Sequence, residues 1–222
     1  METHISIEVK VRDMAIAWVV AEGCRVKSSP DPLVEEIRAA MAIAISKKDS
    51  LESSTRKSIV RNMLRFGSYK PTGRGKPSSE YLLNAAIENE FPFINNLVDI
   101  NNLISLENLL PISLVDLDRA AASTFRVRHG REGEDYVFNQ SGQILTLKDL
   151  LLTSHLPSDT PCATPIKDCQ ATKTHDGTQR ILAIIYAPHD LSAVAREAAR
   201  RMADRIMVYA EGQAESGVVI GL

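Results

Sequence analysis

Residues 91–118, FPFINNLVDINNLISLENLLPISLVDLD, set Asn95, Asn96, Asp99, Asn101 and Asn102 inside an otherwise apolar run. A helix that only packs has no use for them. At 3.6 residues per turn, Asn95, Asp99 and Asn102 fall on one face, spaced i, i+4 and i+7. This constrains the fold, because a buried polar group without a hydrogen bond costs about 1–3 kcal/mol. The run builds a polar network, floors a polar pocket, or lies as a surface helix.

The flanking segments interleave strands and helices. Residues 5–11 alternate apolar and polar, and residues 15–26 give a second strand-like segment. Pro30 and Pro32 introduce a helix from Leu33 to Ser46, sitting where a missing N–H costs least. Residues 50–65 read as another helix. In residues 67–79, GSYKPTGRGKPSS, the glycines and prolines exclude regular structure. A helix over 79–89 takes Ser78 as its expected N-cap, with Leu82, Ala85 and Ala86 inward. The Asn-rich helix starts near Asn95 and ends before Pro111. Short strands at 125–127 and 137–138 bracket the turn HGREGED, while 144–152 fits helix or strand. Residues 157–177 read as a long polar loop, a kind of segment that often carries function. Residues 181–186 form the clearest central strand. Past Pro188, a long helix aligns Leu191, Val194, Ala198, Met202, Ile206 and Tyr209, with Glu197 paired to Arg201 at i+4. The order lacks a βαβ rhythm, so the expected fold is α+β with a mixed sheet and packed helices. The 222 residues form a single domain, 1–222, with 1–30 as a strand-rich N-terminal portion.

A formal net charge of -2 excludes a uniformly basic coat but not a local patch. From Arg56 to Lys76 the charged residues are Arg56, Lys57, Arg61, Arg65, Lys70, Arg74 and Lys76, with no Asp or Glu. Lys57, Arg61 and Arg65 repeat at i+4, which is destabilising unless something anionic compensates. The Gly73–Arg74–Gly75 tip can present a guanidinium to phosphate, and Tyr69 can stack on a base. The competing reading is a solvated face. METHISIEVKVRD lacks the features of a signal peptide, and no apolar run reaches the roughly 18 residues of a membrane span. A cytoplasmic protein without a membrane partner is expected. Cys24, Cys162 and Cys169 are an odd number, which argues against a disulfide scaffold. Cys162 and Cys169, even with Asp168 and His175 near, are spaced too loosely for a structural zinc pair. No metal or other cofactor is expected. Neither phosphate-loop nor dinucleotide glycine spacing occurs, and no G-x-S-x-G elbow is present.

Pro92 with Asn95 and Asn96 leads into Val98–Asp99–Ile100–Asn101–Asn102. Glu107, Pro111 and Asp116 follow, then Val127–Arg128 and Gly133–Glu134. In order and separation these residues resemble the B3/B4 domain of the bacterial phenylalanyl-tRNA synthetase beta subunit. The upstream KPSSEYLL, Lys76 to Leu83, resembles its free-standing relatives. Ser113 stands where the synthetase version has histidine, and Leu109 where it has glycine. The resemblance implies an α+β module that hydrolyses mischarged aminoacyl-tRNA in trans. Its implied partner is tRNA or the aminoacylated acceptor end.

On that reading Asp99 or Glu134 holds the substrate ammonium or polarises water. His175, in KTHDGT, moves protons, since its ordinary pKa lies near neutrality. Asn95, Asn102 and Arg128 contact the substrate; Arg61, Arg65, Lys70, Arg74 and Lys76 hold the RNA. The competing assignment makes Asp99 a capping or helix-pairing group, Asn102 a backbone partner and Arg128–Glu134 a bridge across a turn. His175 is then solvated beside Asp176. Two alternatives cover the whole chain. One is a non-catalytic module binding tRNA or an amino-acid-like ligand; the other is a protein-interaction domain using the long terminal helix.

Overall fold

Ile181–Pro188 is apolar on both sides of its backbone, which a strand tolerates only with a layer over each face. The computed structural model describes residues 5–221 and supplies both layers; residues 1–4, part of the N-terminal portion read from sequence, lie outside the described residues. In chain order the elements are β1 (Ser6–Val9), β2 (Met14–Glu22), α1 (Asp31–Ser46), α2 (Leu51–Met63), α3 (Ser78–Ile87) and α4 (Asn96–Asn108). Next come β3 (Ile112–Asp116), α5 (Leu117–Ala120), β4 (Thr124–His129), β5 (Asp135–Val137), β6 (Ile144–Thr146) and β7 (Leu151–His155). The chain closes with β8 (Thr160–Ala163), β9 (Ile181–Pro188), α6 (Ser192–Tyr209) and β10 (Gln213–Ile220).

The middle layer is an antiparallel sheet in the order β10-β2-β9-β3. Alternation along β2 sends Ala15, Ala17, Val19 and Ala21 to one side, against Leu33, Ile37, Ile100, Leu103, Met202 and Ile206 of the helices. Met14, Ile16 and Val20 point the other way, toward Phe125, Val127 and Leu152 of a second sheet. That sheet runs β1-β4-β7-β8, with β1 parallel to β4 and the other pairs antiparallel. The α+β fold with mixed sheets and packed helices is as the sequence predicts. No helix among the described residues is long and apolar enough to cross a membrane.

Several local expectations change. Ser78 does not cap α3: it is the first helical residue, behind Pro77, and its N–H already donates to Pro165 O at 2.9 Å. The strand expected at 137–138 lies at Asp135–Val137 and pairs with β6 as a small hairpin, and 144–152 divides into β6 and the start of β7. Residues 157–177 are not a bare loop. They contain β8, and their hydroxyls serve the backbone: Thr164 Oγ1 accepts from Lys167 N at 3.0 Å, and Thr172 Oγ1 donates to Cys162 O at 3.0 Å. On α6, Glu197 pairs with Arg200 at 2.7 Å, while Arg201 reaches Glu107 of α4 at 2.9 Å. Cys24, Cys162 and Cys169 are all buried and in no disulfide.

Candidate functional site

The polar residues of α4 divide between two tasks. Asn95 caps the helix, its Oδ1 accepting from Val98 N at 3.0 Å. Asn96 and Asp99 turn to the segment after β2. Asp99, almost fully buried, accepts from Ser29 Oγ at 2.6 Å and from Ile94 N at 2.8 Å. Burial raises its pKa, and those two hydrogen bonds oppose the rise. Asn101 and Asn102 instead line a cleft of about 980 Å³ between α3, α4, β3 and residues 166–174. The single face predicted from spacing is therefore split: Asp99 braces, and Asn95 and Asn102 line the cleft.

The cleft joins an apolar wall of Leu82, Val98, Ile112, Leu114 and Ile166 to a polar floor. Asn101 donates its amide to Asn102 Oδ1 at 3.4 Å, leaving its own Oδ1 buried without a partner. Asp168 is the second such group. Its Oδ2 accepts from Leu114 N at 3.1 Å, whereas Oδ1 is closed to solvent and has no donor. Burial pushes the Asp168 carboxyl up to about 6, against the Ser113 hydroxyl, the Leu114 N–H and Lys173, which favour its charged form. Buried acceptors without donors are scarce in folded proteins, and two beneath one cleft mark where a ligand or water supplies the missing bonds.

The remaining candidates lie elsewhere. Glu134 and Arg128 form a two-pronged ion pair at 2.8 and 2.7 Å, and Arg128 Nε also donates to Asp159 at 3.0 Å. The Arg128 hydrogen bond holds Glu134 below the usual carboxylate range. At Asp159 burial opposes ionisation, but Ser154, Arg128 and Arg131 outweigh it and bring the pKa to about 2. This is the bridge across the turn that the sequence offers as the alternative to substrate contact. Replacing Arg128 by Met takes the two-pronged partner from Glu134 and leaves Asp159 to Arg131 and Arg126, and chemical denaturation is expected to show a loss of about 3 kcal/mol. A change under about 1 kcal/mol contradicts the bracing role.

His175 is tied at both ring nitrogens: Nδ1 accepts from Gly177 N at 3.0 Å, and Nε2 lies 3.4 Å from the buried Asp116 carboxylate. Arg61 grips Glu80 of α3 through Nε at 2.6 Å and through a second, shorter contact. The compensation for the like-charged helix face thus includes a carboxylate from the neighbouring helix. Lys57, Arg61, Arg65 and Lys76 line a groove on the other side of α3 from the cleft, and Asn84 borders both. Lys70 is exposed, and Arg74 lines the cleft. Tyr69 is not open for stacking; its hydroxyl donates to Gly75 O at 2.6 Å, and burial pushes its pKa to about 12.

Sequence reasoning passed over Asn101, Lys167, Asp168 and Lys173 as cleft residues. Asn101 was visible within the α4 pattern. The other three sit in the segment read as a polar loop, where no periodicity distinguishes a side chain aimed inward from a solvated one.

No curated protein matches the chain. A family model, the B3/4 domain, matches residues 69–207, well over half of the sequence, and spans α3, α4, β3 and the 166–174 segment that together enclose the cleft. The chain thus belongs to the B3/4 domain family, the domain type found in the phenylalanyl-tRNA synthetase beta subunit.

Proposed function

We propose that the protein hydrolyses the ester joining an amino acid to the terminal ribose of tRNA, with the aminoacyl end held in the cleft. One observation carries the reading: two acceptors without donors, Asp168 Oδ1 and Asn101 Oδ1, lie beneath a cleft of about 980 Å³. That volume sits at the upper end of the roughly 300–1,000 Å³ range of ligand pockets, enough for an amino acid and part of a nucleoside.

The chemistry follows from the groups present. Above its raised pKa of about 6, the Asp168 carboxylate takes a proton from water as the water oxygen adds to the ester carbonyl carbon. The bond to the ribose oxygen then breaks, and the proton passes to that oxygen. The products are a free amino acid and a tRNA with its hydroxyl restored. The Asn102 amide, beside the cleft, donates to the developing oxyanion. Because Oδ1 is closed to solvent, Asp168 turns slightly as the ester docks. The groove of Lys57, Arg61, Arg65 and Lys76, with Glu80 as its carboxylate, supports the RNA alongside.

The test is amino acid release from a panel of mischarged tRNAs, comparing the wild type with Asp168→Asn. The expected result is turnover of at least one ester, with kcat falling about 10²–10⁴-fold in the variant. If the wild type leaves every ester at its background rate, the hydrolase reading fails for that panel. Salt-sensitive tRNA binding without turnover would then favour a non-catalytic binding module.

A further inference from the structure

Arg74, Lys167 and Lys173 share one end of the cleft, and none of them forms an ion pair among the described residues. The two lysines are held by neutral groups instead. Lys173 Nζ donates to Phe138 O at 2.6 Å, and Lys167 Nζ lies 3.9 Å from the centre of the Phe138 ring. Arg74 rides on a tip clamped by two tyrosines: Tyr69 Oη donates to Gly75 O at 2.6 Å and Tyr81 Oη to Gly73 O at 3.2 Å. The tip needs its glycines. Gly73 has φ of +53°, and a Cβ on Gly75 would lie 2.9 Å from the Tyr69 hydroxyl.

The three charges feel one another. Burial, then Arg74 and Lys173, push the Lys167 ammonium below its ordinary pKa. Asp168 lies near enough for Lys173 to stabilise its charged form, yet no contact between them reaches ion-pair distance. Glu88 and Glu90 line the same cleft at the far end of α3, roughly 15 Å away along a ten-residue helix. Like charges gathered by neutral anchors repel until an anion arrives, and a guanidinium beside two ammonium groups suits phosphate oxygens.

We infer that Arg74, Lys167 and Lys173 form a phosphate-binding site at the cleft end beside the N-terminus of α3, and that it takes a phosphodiester of the strand whose 3′ end enters the cleft. The choice of a phosphodiester rests on the proposed function; the anion site does not.

The experiment measures binding to the full chain of three probes: a single-stranded RNA tetramer, the same tetramer with uncharged methylphosphonate linkages, and inorganic phosphate. The proteins are the wild type and the Arg74→Gln/Lys167→Gln double variant. The RNA tetramer is expected to bind the double variant at least tenfold more weakly. Its dependence of log K on log salt should flatten by about 1.4, two charges at roughly 0.7 each. The methylphosphonate tetramer should bind both proteins equally weakly. The melting temperature should hold or rise, because neutralising two of three like charges relieves repulsion. Inorganic phosphate binding as tightly as the tetramer would support the anion site and overturn the strand assignment. Equal RNA affinity and salt slope in the two proteins would overturn the site, and so would a melting temperature lowered by several degrees. These readouts do not require ester hydrolysis, so failure of the deacylase reading remains distinguishable.

Discussion

Asn96→Ala is expected to lower stability by about 3–5 kcal/mol, measured by urea unfolding with an unchanged denaturant slope. Asn96 is fully buried and uses every hydrogen-bonding position an amide side chain offers. Its Nδ2 donates to Arg25 O at 2.9 Å and Tyr209 O at 2.8 Å, while Oδ1 accepts from Lys27 N and Leu97 N, both at 3.0 Å. One side chain therefore ties the segment after β2, the first turn of α4 and the end of α6. Alanine removes four bonds and leaves backbone groups that nothing nearby replaces; water entering the space recovers part of the loss. Asn96→Asp does not rescue, because an anion would face two carbonyl oxygens. Asn101→Ala is the contrast. The Asn101 carbonyl has no partner to lose, so its removal is expected to change stability by less than about 1 kcal/mol. Similar losses in the two alanine variants would sink the division of labour along α4.

Much of this architecture was readable because it depends on local rules. Asn95 announced the start of α4, the apolar run at 181–186 announced a central strand, and the prolines at 30 and 32 announced α1. The family pattern around Asp99 and Asn102 was also visible, and it lies within the matched domain. What the sequence concealed were long-range choices. Asn96 and Asp99 turn to residues about seventy positions earlier, whereas Asn101 and Asn102 turn to the cleft. Spacing alone puts such residues on a helix face without saying what that face meets. The edge strand β10 is mostly half-buried or exposed, so its apolar signal is diluted. Leu109, where the family pattern has glycine, ends α4 in the left-handed conformation at φ 51°. The turn geometry persists without the residue that usually marks it. Residues 157–177 hid most. Their threonines satisfy their own backbone and look like loop polarity, and Asp168 among them looks like any surface carboxylate.

Asp168→Asn should separate stability from activity, and pH reveals how. In the unfolded chain this carboxyl titrates near 3.8; in the folded protein it titrates at about 6. Between those values the native state holds a proton that the unfolded state has released. Wild-type stability therefore falls as pH rises through the window from about 4 to 6, and the favourable contribution is absent above it. The size is on the order of 2 kcal/mol, a shift of roughly two units at about 1.4 kcal/mol each, discounted for relaxation around the site. An asparagine carries no such proton. Its carbonyl can keep the bond from Leu114 N, while its amide replaces the oxygen that lacked a donor. Subtracting wild type from variant should give a difference flat below about pH 4, rising in the variant's favour to about pH 6, then level. Asp99, whose pKa is also raised, cancels in that subtraction. Over the same window wild-type kcat should climb as Asp168 ionises, while the variant stays low throughout. A flat stability difference would show that Asp168 does not titrate in this range. A variant more stable at pH 8 yet fully active would keep the half-buried carboxylate as a titrating group but remove it from the reaction, leaving ester cleavage to another group in the cleft. Gain of stability with loss of turnover is the outcome expected of a carboxylate kept on the cleft floor for its chemistry rather than for the fold.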